Sequence, residues 1–203
     1  KSLEICCMHL DKGQMWIGTT TDGAYRLQLD KNELTHPILK GNITSIYKDS
    51  EGELWIGSWE EGLHHVKTDG TIEIFEYDAK NPYSISSNFV RACCEDNLGN
   101  IWIGTFNGLN RYDKSTGLFQ NHTASDAQSD GLKHSSIWCI VKDNQGTLWL
   151  GTYFGGVNYF NPEYEIYTRY KVGDTEKEGL SSPIVGRMTE DKDGNLWICT
   201  EGG

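Results

Sequence analysis

No apolar run in the sequence exceeds the five residues Ile137–Val141, against the roughly 18 that a membrane-spanning helix requires. Its first residues, Lys1-Ser2-Leu3-Glu4, lack the charged-then-apolar layout of an export signal. Neither a spanning nor a targeting segment is expected within it. Basic residues are scarce: 18 Lys and Arg stand against 29 Asp and Glu, a formal net charge of -11, with no local basic patch. Such a field repels phosphate backbones and anionic lipid, which argues against nucleic acid as a partner and against direct membrane insertion. Six cysteines in 203 residues are too few for a disulfide scaffold and lack the CxxC spacing of a zinc site. No GxSxG, P-loop, dinucleotide fingerprint or HExxH is present, so the sequence indicates no cofactor, no metal and no catalytic group. With 23 Gly and only 4 Pro in a mixed composition, disorder and collagen are excluded too.

What the sequence does have is a repeat. Gly13-Gln-Met-Trp-Ile-Gly18, Gly52-Glu-Leu-Trp-Ile-Gly57, Gly99-Asn-Ile-Trp-Ile-Gly104, Gly146-Thr-Leu-Trp-Leu-Gly151 and Gly194-Asn-Leu-Trp-Ile-Cys199 align without a gap. Their tryptophans, Trp16, Trp55, Trp102, Trp149 and Trp197, are spaced by 39, 47, 47 and 48 residues, in or near the range of propeller blades. Short β-branched and aromatic runs between glycine turns, with no helical periodicity, make each unit a four-stranded meander. In the third copy the strands are expected over 88–95, 100–105, 109–113 and 118–122. The fold class is therefore all-β, a β-propeller fragment with blades at about 3–36, 42–78, 88–122 and 135–171 and a half-blade at 184–203. A blade needs a neighbour on each face, so these residues read as one piece of a larger ring with no second domain among them.

The five tryptophans are expected to be inter-blade spacers, and the cysteines to be buried thiols on inner strands, with a vicinal or cross-blade disulfide left open. Aligned without gaps, Cys7, Ile46, Cys93, Ile140 and Met188 share one column, and Cys6 shares the preceding one with Cys139. The first-to-second turns, Asp49–Gly52, Asp96–Gly99, Asp143–Gly146 and Asp191–Gly194, carry Asp at the start and Gly at the end. That is turn chemistry, with a calcium loop disfavoured because the closing Glu is missing. His64 and His65 are neighbours on a strand and point to opposite faces, which prevents a shared metal.

Strand direction puts the second-to-third loops and the blade connections on one face, and irregular loops on a rigid scaffold are where binding resides. The candidate ligand-binding residues on that face are Trp59, Glu60, Glu61, Phe106, Asn107, Arg111, Tyr153 and Phe154. Aromatic faces beside carboxylates and amides suit a neutral polyhydroxylated ligand, since sugar C–H faces stack on rings while hydroxyls take hydrogen bonds. The alternatives are aromatics packed beneath the long loops or against a partner domain, and Glu60-Glu61 acting as a general acid/base pair.

Residues 99–117, Gly-Asn-Ile-Trp-Ile-Gly-Thr-Phe-Asn-Gly-Leu-Asn-Arg-Tyr-Asp-Lys-Ser-Thr-Gly, resemble the repeat of two-component regulator propellers. Tyr77–Val90 resembles that family's blade junction, and Leu180–Val185 echoes it. The resemblance implies the periplasmic sensor of a hybrid histidine kinase, often two seven-bladed rings before a membrane helix, common in gut Bacteroidetes that respond to glycan fragments. It further implies an oligosaccharide ligand, remaining blades and a second propeller in the same parent chain, a signalling homodimer, and kinase and DNA-binding modules elsewhere. The departures are a first blade about eight residues shorter, Cys199 in place of Gly, and His64-His65 in place of the pair Asn110-Arg111. Two other classes stay open: a propeller-type glycan lyase or hydrolase, and an interaction scaffold with no small ligand.

Overall fold

The computed structural model describes residues 3–35, 37–124, 132, 134–162 and 179–202, and the backbone of 166–170. His36 and most of the residues that connect the third, fourth and fifth units, 125–131, 133 and 171–178, lie outside the described residues. Eighteen strands form four four-stranded antiparallel sheets and one two-stranded sheet, with no helix among the described residues. The first sheet holds β1 (Ile5–Asp11), β2 (Gln14–Thr19), β3 (Ala24–Gln28) and β4 (Glu33–Leu34). The second holds β5 (Ile43–Lys48), β6 (Leu54–Ser58), β7 (Leu63–Val66) and β8 (Ile72–Phe75). The third holds β9 (Val90–Glu95), β10 (Ile101–Thr105), β11 (Gly108–Asp113) and β12 (Leu118–His122). The fourth holds β13 (Ile137–Lys142), β14 (Leu148–Thr152), β15 (Val157–Asn161) and β16 (Ile166–Tyr170), and the last pair is β17 (Val185–Glu190) with β18 (Leu196–Thr200). Every sheet is a simple meander in chain order, the all-β blade architecture expected from the repeat.

Four of the five inner hairpins are built by one brace. The turn aspartate accepts two or more backbone N–H groups through one oxygen and the indole N–H six residues on through the other. Asp49 takes the amides of Glu51 and Glu53 and the Trp55 Nε1 at 2.9 Å. Asp96, Asp143 and Asp191 hold Trp102, Trp149 and Trp197 at 2.7, 2.8 and 2.8 Å. The Asp is thus more than turn chemistry, because it satisfies the polar end of a large apolar ring. The first blade departs: β1 and β2 join through the two-residue turn Lys12-Gly13, both at positive φ (41° and 82°), with Asp11 paired to Gln14. With no aspartate six residues upstream, the Trp16 Nε1 has no hydrogen-bond partner.

That turn is one residue tighter than the others, and it corrects the cysteine alignment. His9, not Met8, stands opposite Trp16, so Met8 falls in the column of Ile46, Cys93, Ile140 and Met188, and Cys7 shares its column with Cys139. All six cysteines are free thiols. Burial pushes the Cys93 and Cys139 thiols up to about 12.

Blades pack through the glycine two residues after each of the first four blade tryptophans. A β-carbon on Gly104 would come within 2.7 Å of Ile137, one on Gly57 within 2.7 Å of Val90, and one on Gly151 within 2.7 Å of Val185. Each of those partners opens the next inner strand and is fully buried. Four apolar clusters result, one per pair of successive sheets, with Trp55 and Trp102 buried in two of them. Trp197 is 62% exposed, because no described strand covers its face. The copies covered by a following sheet differ: Trp16, Trp55 and Trp102 are buried and Trp149 is half-buried.

Candidate functional site

Every inner strand carries a β-bulge near its start. The ladder skips one residue between Ile5 and Cys7, Ile43 and Ser45, Val90 and Ala92, Ile137 and Cys139, and Val185 and Arg187. The unpaired residues are Cys6, Thr44, Arg91, Trp138 and Gly186, and all five line one cavity. A bulge bends the strand and re-aims a side chain, so five bulges in register build a ring of inward-turned positions. Above each, the residue after the second strand donates its amide to the residue before the inner strand: Thr20 to Glu4, Trp59 to Asn42, Phe106 to Phe89, Tyr153 to Ser136 and Glu201 to Ile184, at 3.0–3.1 Å. On the other side Gly62, Gly108 and Gly156 donate to Asn88, Ser135 and Pro183 in the following connection. The loop tips of the second, third and fourth sheets are thereby clasped between two inner strands, a rigid mount for their side chains.

The cavity is a funnel of about 650 Å³ to which all five sheets contribute. Its floor continues into a second space of about 390 Å³ between the inner strands. Around the wall runs a chain of ring and cation contacts. Tyr153 stacks on Trp138 (4.9 Å, 16°), and the Arg91 guanidinium lies 4.4 Å from the Trp138 centroid and 5.1 Å from that of Trp59. Trp59 then meets Phe89 edge-on at 5.5 Å, and Phe89 contacts Phe106 at 6.1 Å. Burial, and then the charge of Arg187, press the Arg91 pKa downward, but a guanidinium remains cationic at any physiological pH.

Of the sequence candidates, only Trp59 and Tyr153 line the funnel. Glu60 and Glu61 are exposed and border a smaller recess of about 230 Å³ with Asn42 and Ser58, where the Glu61 amide caps the Ser58 hydroxyl at 2.7 Å. Phe106 and Phe154 stand on the rim, 56% and 55% exposed, the latter against Tyr153 and His134. Asn107 faces the blade junction, its amide donating to the Thr105 hydroxyl and its side chain reaching the Ser86 carbonyl at 3.5 Å. Arg111 sits in β11 opposite Trp102 and Gln120, toward the far end of the blade. Arg91, Trp138 and Arg187 are the funnel residues that sequence reasoning passed over. The signal was present: Arg91 and Trp138 each lie eleven residues before a blade tryptophan, in the column that the bulge turns inward.

Two other polar clusters, an acidic turn and the His64–His65 pair, lie in the second blade outside the funnel lining. Asp49, Glu51 and Glu53 form an acidic group, but Lys114 Nζ reaches Asp49 at 3.0 Å and Glu51 at 3.1 Å, so a cation is already built in. His65 stacks on Trp55 (3.9 Å, 9°) and pairs with Glu53 at 2.6 Å, whereas His64, opposite Ile56, is buried and its pKa is lowered by that burial.

The sequence profile of the family described as "Two component regulator propeller" matches residues 37–60, 84–107, 131–154 and 179–202, each unit running from a blade connection through the inner hairpin to the loop tip. Those four segments are two-component regulator propeller repeats. Among solved structures, the propeller superposes on a protein named as the extracellular domain of a hybrid two-component system of Bacteroides thetaiotaomicron, at TM-score 0.77 and 23% identity over 97% of this chain and 26% of that one. A second such domain from the same organism gives TM-score 0.78 and 19% identity over 100% of this chain and 28% of that one. Virginiamycin B lyase from Staphylococcus aureus gives 0.74 and 15% over 98% and 64%. At these identities the likeness is one of fold, and the propeller spans about a quarter of the length of the two Bacteroides domains. No curated protein matches it in sequence.

Proposed function

We propose that these residues form part of the extracytoplasmic sensor of a hybrid two-component histidine kinase, in which the funnel binds an oligosaccharide and the propeller itself performs no chemistry. The observation that carries the reading is the stacked pair Trp138–Tyr153, mounted on a bulge and a clasped loop tip inside a funnel of about 650 Å³. That volume lies within the ordinary range of small-ligand sites. Adjacent, nearly coplanar rings offer an extended apolar platform for a pyranose face, while Asn42, Thr44 and Thr200 supply hydrogen-bonding groups around it. The repeat family and the fold shared with extracellular domains of hybrid two-component systems support the sensor role. Remaining blades, a second propeller and a homodimeric parent belong to the same proposal. Signal then passes only insofar as the sugar binds two arrangements of that parent with different affinity.

The test is a thermal-shift screen of the complete extracytoplasmic segment against neutral and acidic oligosaccharides, with product analysis of each positive. A ligand that binds only the folded state raises the melting temperature by mass action. The reading predicts a specific shift without turnover, abolished by Trp138→Ala and Tyr153→Ala. Turnover abolished by Glu60→Gln or Glu61→Gln would instead establish a glycan lyase or hydrolase.

A further inference from the structure

Two of the five arginines in the chain converge on the funnel, although the chain as a whole is strongly acidic. Arg91 is gripped between Trp59 and Trp138, and Arg187 projects from the adjacent column of β17. Neither side chain makes a hydrogen bond or ion pair with any described residue. The cation–π contacts with Trp59 and Trp138 leave the Arg91 N–H groups without a hydrogen-bond acceptor among the described residues, and a guanidinium fork is matched to a planar or tetrahedral anion. Two guanidinium groups held at one cavity without a carboxylate between them repel each other, a cost removed when an anion bridges them. Among the described residues the one carboxylate lining the funnel is Glu201, which stands at the exit of β18 and repels an anion from that side.

We infer that the funnel selects an acidic saccharide, whose carboxylate or sulfate bridges Arg91 and Arg187 while a sugar ring lies on Trp138 and Tyr153. This inference rests on the saccharide reading above and narrows the neutral ligand that the loop residues alone suggest.

The test is a titration of the complete extracytoplasmic segment, followed by tryptophan emission, since both indoles flanking Arg91 report on that guanidinium. The probes are trigalacturonate, its methyl ester, which keeps the skeleton but removes the charge, and inorganic sulfate. The inference predicts saturable binding of trigalacturonate, weakened by salt, competed by sulfate, and absent or at least tenfold weaker for the ester. Arg91→Gln and Arg187→Gln, each checked for an unchanged melting temperature, are expected to weaken trigalacturonate about tenfold to a hundredfold, the loss of one charge-assisted hydrogen bond. Sulfate binding with no saccharide binding would support the anion site while overturning the saccharide reading. Equal binding of acid and ester, unaffected by either variant, would overturn the charge inference and leave the saccharide reading standing. No response to any of the three probes would overturn the inference.

Discussion

Gly104 shows how a single missing side chain sets the distance between blades. It stands opposite Ala92 in its own sheet, and its bare face receives Ile137 from the next one. Ile137 is fully buried there, so its methyls have nowhere to retreat. Gly104→Ala is therefore expected to cost about 1–3 kcal/mol, the range for overpacking a filled interior, measured as a lower urea midpoint with unchanged slope. Gly99→Ala is the informative companion: it meets no atom within 4 Å, but its φ of 83° is unfavourable for alanine, so a loss there reports backbone strain instead of contact. These glycines were visible in the sequence as a fixed column. Their reason was not, because it lies in the neighbouring blade, some 33 positions along the chain from Gly104.

At the scale of the hairpin, the Asp–Trp brace ties stability to pH. Burial opposes ionisation of Asp49, but the Trp55 indole, the Glu53 amide and Lys114 outweigh it and hold the carboxyl below its ordinary range. Asp191, hydrogen-bonded by Asn195 and then Trp197, is lowered to about 2. A carboxyl depressed by folding contributes stability that is fully present above its unfolded value, about 3.9, and is lost as pH falls through the folded value. The melting temperature is expected to fall between about pH 4 and pH 2. Asp49→Asn should lower it at neutral pH by the equivalent of about 1–3 kcal/mol, through the weakened partner of a buried indole and the loss of one of the carboxylates that pair with Lys114, and should flatten the acid limb. An unchanged acid limb in that variant would show that the brace does not titrate as described. Strands and turns were legible from alternation, glycine and the repeat, with the third blade read to within a residue or two. The register of β1 was not, because a turn one residue shorter leaves the Trp-Ile-Gly alignment intact while sliding every residue before it. A two-residue Lys-Gly turn in place of Asp-x-x-Gly was the available signal.

For the whole molecule, the blade repeat is the part most fully written in the sequence, since each unit restates it. The funnel is written less openly. Its wall combines loop tips, which chain direction places on one face, with bulge residues that only the cross-strand register reveals. Trp59 and Tyr153 were found by the first rule, while Arg91 and Trp138 sit in strands that read as ordinary buried β-structure. Arg111, counted among the loop-face candidates, lies instead within β11 opposite Trp102. Trp138→Ala is expected to leave the fold intact, since the side chain is only half buried and faces the funnel, yet to remove the stacking platform and weaken saccharide binding by about 1–3 kcal/mol, the worth of a stacked aromatic contact plus its buried area. Trp102→Ala, buried between blades, is expected instead to destabilise the protein by about 3–5 kcal/mol, so the pair separates binding from packing in one calorimetric comparison.

The most direct test is a crystal structure of the complete extracytoplasmic segment with a saccharide that raises its melting temperature. Sugar density is expected in the funnel, with a ring face on Trp138 and Tyr153 and an acidic group within hydrogen-bonding distance of Arg91. Sugar bound wholly outside the funnel, with Arg91 still stacked and solvent-facing, would contradict that expectation.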